Sequence, residues 1–317
     1  MAQVEIAARP RLTAADLAGN ARRRQKERAI RIAFLSAAGF SILVSALIIV
    51  SLAGKAVQFL TLIHPSQLLA GGWFPRQGDF GIATLLAGTL IVSLIAMVVA
   101  TPLGLGAAIY LSEYARPRAR RTLKPILETL AGIPSVVMGY FALNVISPGL
   151  IQAVFGRATQ IFSLAAAGVG VGILVTPLIA SVAEDAMFAV PRTLREAAYG
   201  LGAKKRVTSL RVVVPAAISG IVAALILGVS RAIGETMVVA IAAGATGGSI
   251  FTLNPLHYGQ TMTTAMSSLA IGSDAVGGNS AAAAFPSLFF VGLVLFLMTL
   301  LLNMAANRFV RRVRRRY

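Results

Sequence analysis

No cysteine occurs among the 317 residues, which excludes disulfides, thiol chemistry, iron–sulfur clusters and zinc–thiolate sites. Histidine is nearly as scarce. His64 and His257 are the only two, and two imidazoles on separate loops make a poor metal site. Charge is sparse as well: 13% of residues are Asp, Glu, Lys or Arg, against about 25% in a soluble domain. So few polar groups cannot cover a water-facing surface, so lipid must solvate most of the chain. Acidic residues number 11 and are mostly spread singly. A membrane enzyme would want them gathered with histidine near one face, and no catalytic residue is assigned.

What is present is apolar. Hydrophobic residues make up 57% of the chain, with mean hydropathy +0.80. A spanning helix needs about 20 apolar residues, and six stretches are long enough: about 31–57, 80–112, 125–154, 160–185, 213–243 and 284–308. The second, third and fifth exceed a perpendicular crossing and are expected to tilt or to extend beyond the bilayer.

The net charge of +18 is a matter of position rather than of sum. Arg22, Arg23, Arg24, Lys26, Arg28 and Arg31 precede the first span. Arg116, Arg118, Arg120, Arg121 and Lys124 follow the second. Arg192, Arg195, Lys204, Lys205, Arg206 and Arg211 follow the fourth, and Arg308, Arg311, Arg312, Arg314, Arg315 and Arg316 close the chain. The alternate loops hold Lys55 and Arg76, then Arg157, then no Lys or Arg over 245–283. This is the positive-inside asymmetry. It places both termini in the cytoplasm and requires an even number of spans. No row of aromatics interleaves the basic residues, so there is no stacking platform for nucleic acid, and none is expected as a partner. The polar, basic first thirty residues read as a cytoplasmic tail rather than a signal peptide, whose basic start would run at once into an apolar core. Trp73, near the start of the second span, reads as an interface anchor.

The most specific segment runs from Glu196 to Pro215, EAAYGLGAKKRVTSLRVVVP. Thr193 and Glu196 have capping-box spacing, Pro191 ends the preceding helix, and Gly200 and Gly202 let the chain leave a short helix through a left-handed backbone. A second short basic helix is expected to lead to Pro215, giving a helix–turn–helix on the cytoplasmic face. Glu196, Ala197, Ala198, Gly202, Val212, Val214 and Pro215 fall at the spacing of the EAA loop of ABC importer permeases, which this segment resembles; valine stands here for that pattern's Ile and Leu. The resemblance implies that the loop, 186–215 in all, docks in a groove of an ATPase subunit. The alternative is an ordinary capped cytoplasmic loop.

Three further segments are similar to the permeases of the high-affinity phosphate importer: Thr101–Ala115, Leu123–Leu143 and Ser230–Gly244. Gly234-Glu235-Thr236-Met237 is closer to the PstC type than to the PstA type. The resemblance implies an all-α integral membrane fold of six transmembrane helices in the bacterial plasma (inner) membrane. It implies as partners a second permease subunit of PstA type, two ATPase subunits of PstB type and an extracytoplasmic phosphate-binding protein of PstS type. The expected division is a tail at 1–30, a transport domain at 31–310 and a basic tail at 311–317. No cofactor is expected in this chain; no Gly-x-x-x-x-Gly-Lys-[Ser/Thr] occurs, so ATP–Mg belongs to the partner. Gly168, Gly170 and Gly172 lie inside a span and serve helix packing.

Arg231 and Glu235 are ionisable residues deep in the fifth span. A central charge costs about 2.5–3.5 kcal/mol on insertion scales, so such residues usually face a pathway or a partner. Spaced i, i+4, they share one helix face. Arginine's planar fork of donors suits phosphate, and Glu235 is placed to hold and partly neutralise it. The family also places functional residues in this motif, which brings in Thr236 beside them. A structural ion pair pinning two helices is the competing reading. Glu128 reads as a partner for a basic loop residue as readily as a transport residue, and Gly132, Pro134 and Gly139 predict a kink in the third span. Permeases for sulfate or molybdate also carry an EAA loop and remain the alternative within importers. An ATP-independent secondary transporter or channel should lack that loop, and no repeated halves of the transporter kind are seen.

Overall fold

The computed structural model describes residues 21–69, 71–156, 159–244, 247–272 and 281–314, with backbone alone for 21–24, 281, 307 and 309–314. The expectations placed on residues 1–20, on Arg157 and on the last basic residues lie outside the described residues. The chain divides into two compact units, Met1–Ser51 and Leu52–Tyr317.

Eleven helices are described. They are α1 (Ala21–Leu62), α2 (Ile82–Tyr114), α3 (Pro117–Leu130), α4 (Ser135–Phe155), α5 (Leu164–Phe188), α6 (Arg192–Gly200), α7 (Lys205–Ala216), α8 (Ile218–Ile233), α9 (Met237–Ala242), α10 (Met262–Ile271) and α11 (Ala281–Arg314). Five of them, α1, α2, α4, α5 and α11, are long and apolar enough to cross a membrane, and the bent pair α7–α8, counted as one span, brings the number to six. The even count agrees with the charge pattern. In the first unit, α1 beyond Arg31 is apolar all round and exposed, with Phe34, Leu35, Phe40 and Ile42 all more than 60% accessible. In water this would be untenable; in hydrocarbon it is the expected surface.

The second unit is built around α5, whose small residues let neighbours come close. Gly168 and Gly172 leave room for Ile95 and Val99 of α2, Gly170 faces Ala142 and Val238, and Gly228 of α8 lies against Val175 and Ile179. A Cβ at any of these glycines would stand within 3 Å of the facing side chain. Such small-residue contacts are how helices pack when lipid supplies no hydrophobic drive. The central core joins α2, α4, α5, α8 and α9 through Val92, Ala96, Ala142, Val171, Val175, Ala232 and Val238.

Charge sorts the two ends. The outer end carries a small antiparallel sheet of β1 (Gly72–Phe74), β2 (Asp79–Phe80) and β3 (Ser249–Ile250), ordered β2-β1-β3. The segments around it are stitched together, with Ser163 N donating to Ala242 O, Leu164 N to His257 O and Ala165 N to Pro255 O. Within the second unit, the basic segments 116–124 and 192–211 follow the far ends of α2 and α5, at the opposite, cytoplasmic end.

Four expectations are corrected. Trp73 is fully buried, edge-on to Phe80 in a cluster with Phe59, Leu85 and Met262, so it is a core residue rather than an interface anchor. The third span is broken, not merely kinked. Amphipathic α3 ends in tight turns at Gly132 and Ile133, and α4 restarts after Pro134, which has no N–H to continue the first helix. The fifth span is not one rod over 213–243: α7 and α8 meet at 72° beside Pro215 and Ala217, and the chain leaves the helix again at Gly234–Thr236 before α9. The segment 245–283, read as loop alone, contains α10, which folds back into the protein and is largely buried.

A chain without native cysteine suits single-cysteine labelling. Leu69→Cys and Leu253→Cys, 82% and 70% exposed at the outer end, should react with an impermeant maleimide in spheroplasts. Leu201→Cys, 90% exposed at the basic end, should react only after permeabilisation. Labelling of Leu201→Cys from outside would invert the topology.

Candidate functional site

Two sites meet the sequence expectations, one at each end of a contact path through the second unit. The first is the cytoplasmic loop. Residues Glu196, Ala197 and Ala198 lie in α6, which begins after Pro191 and ends in a Schellman turn. Ala203 N donates to Ala198 O, Gly202 N donates to Tyr199 O, and Gly202 adopts φ +78°. Nothing lies within 4 Å of a Cβ built at Gly202, so the backbone conformation, not crowding, is what demands glycine there. Gly200 stays helical and is not part of the left-handed exit.

The expected capping box does not form. The N-cap position is Pro191, with no side-chain cap. What fixes α6 is Arg195, which sequence reasoning counted only as loop charge. Its Nη1 donates to Val190 O at 2.6 Å, and its Nη2 donates to Met187 O and to Glu113 Oε1, each at 2.8 Å. A guanidinium thus closes the C-terminal carbonyls of α5 and ties them to a nearly buried carboxylate at the end of α2. Cations suit a helix C-terminus, and five donors in one plane meet three acceptors that a hydroxyl–carboxylate box could not reach. With its base held, α6 presents Leu194, Tyr199 and Leu201 outward, all more than 40% exposed, with Glu196 and Ala197 exposed beside them. Pro215 is half-buried at the α7–α8 corner, and Lys205 stands over the Tyr114 ring.

Beside this loop is a charge cluster that sequence reasoning also missed. Glu184 of α5 is fully buried and pairs with both Arg120 and Lys124 of α3. Lys124 also pairs with Asp185, and the Arg120 guanidinium lies 3.6 Å above the Phe188 ring. Burial pulls the Lys124 ammonium down, but hydrogen bonds and attraction from Asp185 and Glu184 outweigh it and hold the group above its usual 10.5. A raised lysine pKa stabilises fully below the unfolded value and is lost only as pH climbs through the higher folded one, so the Lys124 ammonium keeps its charge at physiological pH. Glu128, by contrast, is exposed on α3, and no ion pair to it is found among the described residues.

The second site is the break in the fifth span. Gly228 packs on Val175 and Ile179, midway along α5, so Arg231 and Glu235 sit one and two turns further toward the outer end. Their side chains approach to 3.7 Å between Arg231 Nη2 and Glu235 Oε2. They are unequal partners: Glu235 is 5% exposed and Arg231 55%. The separation is longer than a hydrogen bond, and no described residue accepts one from the guanidinium. Leu227, Arg231 and Gly234 form one exposed stripe on α8.

The backbone around Glu235 is held by α10. Thr263 Oγ1 donates to Glu235 O at 2.9 Å, and Met262 N donates to Thr89 Oγ1 of α2 at 3.0 Å. Thr261 and Thr264 form a reciprocal capping box at the start of α10. Thr236 is half-buried at the start of α9, with its hydroxyl turned back to Gly234 O at 3.4 Å.

Comparison with known proteins agrees with this architecture. Residues 100–317 match the family described as binding-protein-dependent transport system inner membrane component. The chain is 34% identical over 258 residues to phosphate transport system permease protein PstC 1 of Mycobacterium tuberculosis, covering 76% of this chain and 75% of that protein. It is 30% identical to the phosphate transport system permease protein PstC of Pasteurella multocida, covering 79% and 81%. It is 33% identical to the probable ABC transporter permease protein YqgH of Bacillus subtilis, over 66% of this chain and 64% of that protein's length. The inward-facing MetNI methionine ABC transporter shares the fold, with TM-score 0.52 at 20% identity over 74% of this chain and 94% of that one. The chain is a multi-pass inner membrane transporter subunit and belongs to the binding-protein-dependent transport system inner membrane component family.

Proposed function

We propose that this chain is the permease subunit of an ATP-driven importer of inorganic phosphate, with residues 31–310 as its transport domain. The observation that carries the reading is Arg231. A guanidinium on an exposed stripe at mid-depth, with its donors free of described acceptors, is costly against lipid. It is tolerable only where the stripe lines a polar route or a partner subunit. A dehydrated anion on that route needs positive charge, and a planar fork of donors fits an oxyanion. Glu235 supplies half the solution: buried and anchored through its own carbonyl, it keeps the guanidinium in place and tempers its charge, so that phosphate is released rather than trapped. Thr236 adds a hydroxyl at the same break. The similar PstC proteins are phosphate permeases by name, which favours phosphate over sulfate or molybdate.

The second part of the proposal concerns energy. The α6 loop, with Glu196, Ala197, Ala198 and Gly202 on a rigid base and Pro215 at its far corner, is the contact for an ATPase of PstB type that binds ATP–Mg. A second permease of PstA type and a phosphate-binding protein of PstS type complete the importer. Exposed Leu194, Tyr199 and Leu201 supply the apolar anchors such a docking helix requires.

Two expected outcomes test these roles. Arg231→Gln keeps length but removes the charge; phosphate uptake per assembled complex should fall by about tenfold or more, the scale of one charge-assisted hydrogen bond. Arg231→Lys should recover only part, because it keeps charge without the fork. Glu235→Gln should be milder if its task is to position Arg231. If the pair were only a structural pin, both neutral variants would lose assembly, and a charge-swapped double variant would restore it. Uptake unchanged in Arg231→Gln removes Arg231 from the anion route.

Gly202 separates docking from folding. Gly202→Ala strains the left-handed turn by about 1 kcal/mol and should transport nearly normally. Gly202→Trp has room in the isolated chain but obstructs a docked partner, so the permease should remain in the membrane while ATP hydrolysis and phosphate uptake become uncoupled. Normal coupling in Gly202→Trp removes the loop from the contact.

A further inference from the structure

The transport reading leaves one buried charge without a task. Glu184 is 0% exposed at the cytoplasmic end of α5, in a chain with few acids to spend, and it grips two cations of another helix. A buried pair of this kind is poor evidence of stability, because the desolvation it requires offsets much of the attraction. Its position suggests another purpose. One turn beyond Glu184, Met187 O and Val190 O accept hydrogen bonds from Arg195 of α6. Any displacement of α6 is therefore delivered to the end of α5. On its other side, Glu184 holds the first turns of α3 through Arg120 and Lys124, with Arg120 also resting on the Phe188 ring. The far end of α3 is the break before Pro134. Just after that break, Gly139 of α4 packs against Met237 O and Ile241 of α9, which begins two residues past Glu235. The path from the α6 loop to the Arg231–Glu235 pair is thus made of direct contacts joined by short runs of chain, and Glu184 is the only described carboxylate that ties α5 to both Arg120 and Lys124.

We propose that Glu184 is a positioning residue for transport: it transmits movement of the α6 loop to the broken third span, and through it to the Arg231–Glu235 site. The inference rests on the proposed docking of an ATPase at α6. It assigns Glu184 no contact with phosphate. Ion pairs suit this task because they hold two helices in register while allowing α3 to pivot about charged ends, which an interdigitated apolar contact resists.

The test is made on the whole importer reconstituted in liposomes with inorganic phosphate inside the binding-protein compartment, reading phosphate transported per ATP hydrolysed. Glu184→Gln should leave the complex assembled and hydrolysing ATP, while the transport ratio falls by about fivefold or more, the lower range of a coupling free energy. Glu184→Asp, which keeps the charge, should recover much of the ratio. Arg118→Gln, on the exposed face of the same helix, should stay within about twofold, as expected for a solvated charge. Where Glu184→Gln fails to assemble, the paired variant Arg120→Gln/Lys124→Met approaches the same contact from partly exposed side chains and should give the same loss of ratio. A wild-type ratio in either assembled variant overturns the proposal, as does loss of assembly in both, which would make the cluster a structural pin. Gly202→Trp in the same assay keeps the two readings apart. If it uncouples while the cluster variants do not, only the role of Glu184 fails; if it remains coupled, the docking reading itself fails.

Discussion

A backbone that leaves the helix inside hydrocarbon must find its hydrogen bonds in protein. That constraint explains why the fifth span can break where it does. At Gly234–Thr236 the helix stops, and the carbonyl of Glu235 is taken up by Thr263 of α10. The same helix is fastened to α2 through Met262 N and Thr89. Without α10 the break would expose polar backbone to lipid; with it, the chain keeps an irregular segment at mid-depth and places an arginine and a glutamate there. Broken helices at the centre of the membrane are where transporters build substrate sites. Much of the outer architecture packs on α10 or on the chain before it: the buried Trp73 cluster includes Met262, Ala265 and Leu269, and β3 of the three-stranded sheet precedes the helix.

At the cytoplasmic end the organising force is different. Few acids meet many bases, and the acids are placed at helix ends. Glu113 ends α2, and Glu184 and Asp185 lie near the end of α5; each receives a cation from a segment distant in the chain, Arg195 of α6 for Glu113 and Lys124 of α3 for Glu184 and Asp185. The positive-inside clusters are therefore more than topological markers. Arg195, Arg120 and Lys124 spend their charge inside the protein, while Arg116, Arg118 and Arg121 remain exposed.

Much of this was legible in the sequence. Span positions followed from apolar length, sidedness from loop charge, and the left-handed turn at Gly202 from glycine spacing. The Arg231–Glu235 pair followed from the cost of charge in an apolar span. Local rules failed where tertiary partners decided the outcome. Thr193 and Glu196 have the spacing of a capping box, but Pro191 already starts the helix and Arg195 takes the carbonyls that fix it. Trp73 sits where an interface anchor would, yet Phe80 and Phe59 enclose it. The 262–271 helix was hidden because it is too short and too rich in threonine to register as a span, and its helical role depends on contacts with α2 and the break. Glu184 gave no signal because its partners lie sixty residues earlier in the chain.

The proposed function requires that this chain carry phosphate, driven by ATP, through the site at Arg231. Its most direct test is uptake of labelled phosphate and labelled sulfate into liposomes bearing the whole importer, with and without ATP. ATP-dependent accumulation of phosphate and none of sulfate is the expected result. Equal accumulation of both anions, or phosphate flux that does not require ATP, would contradict it.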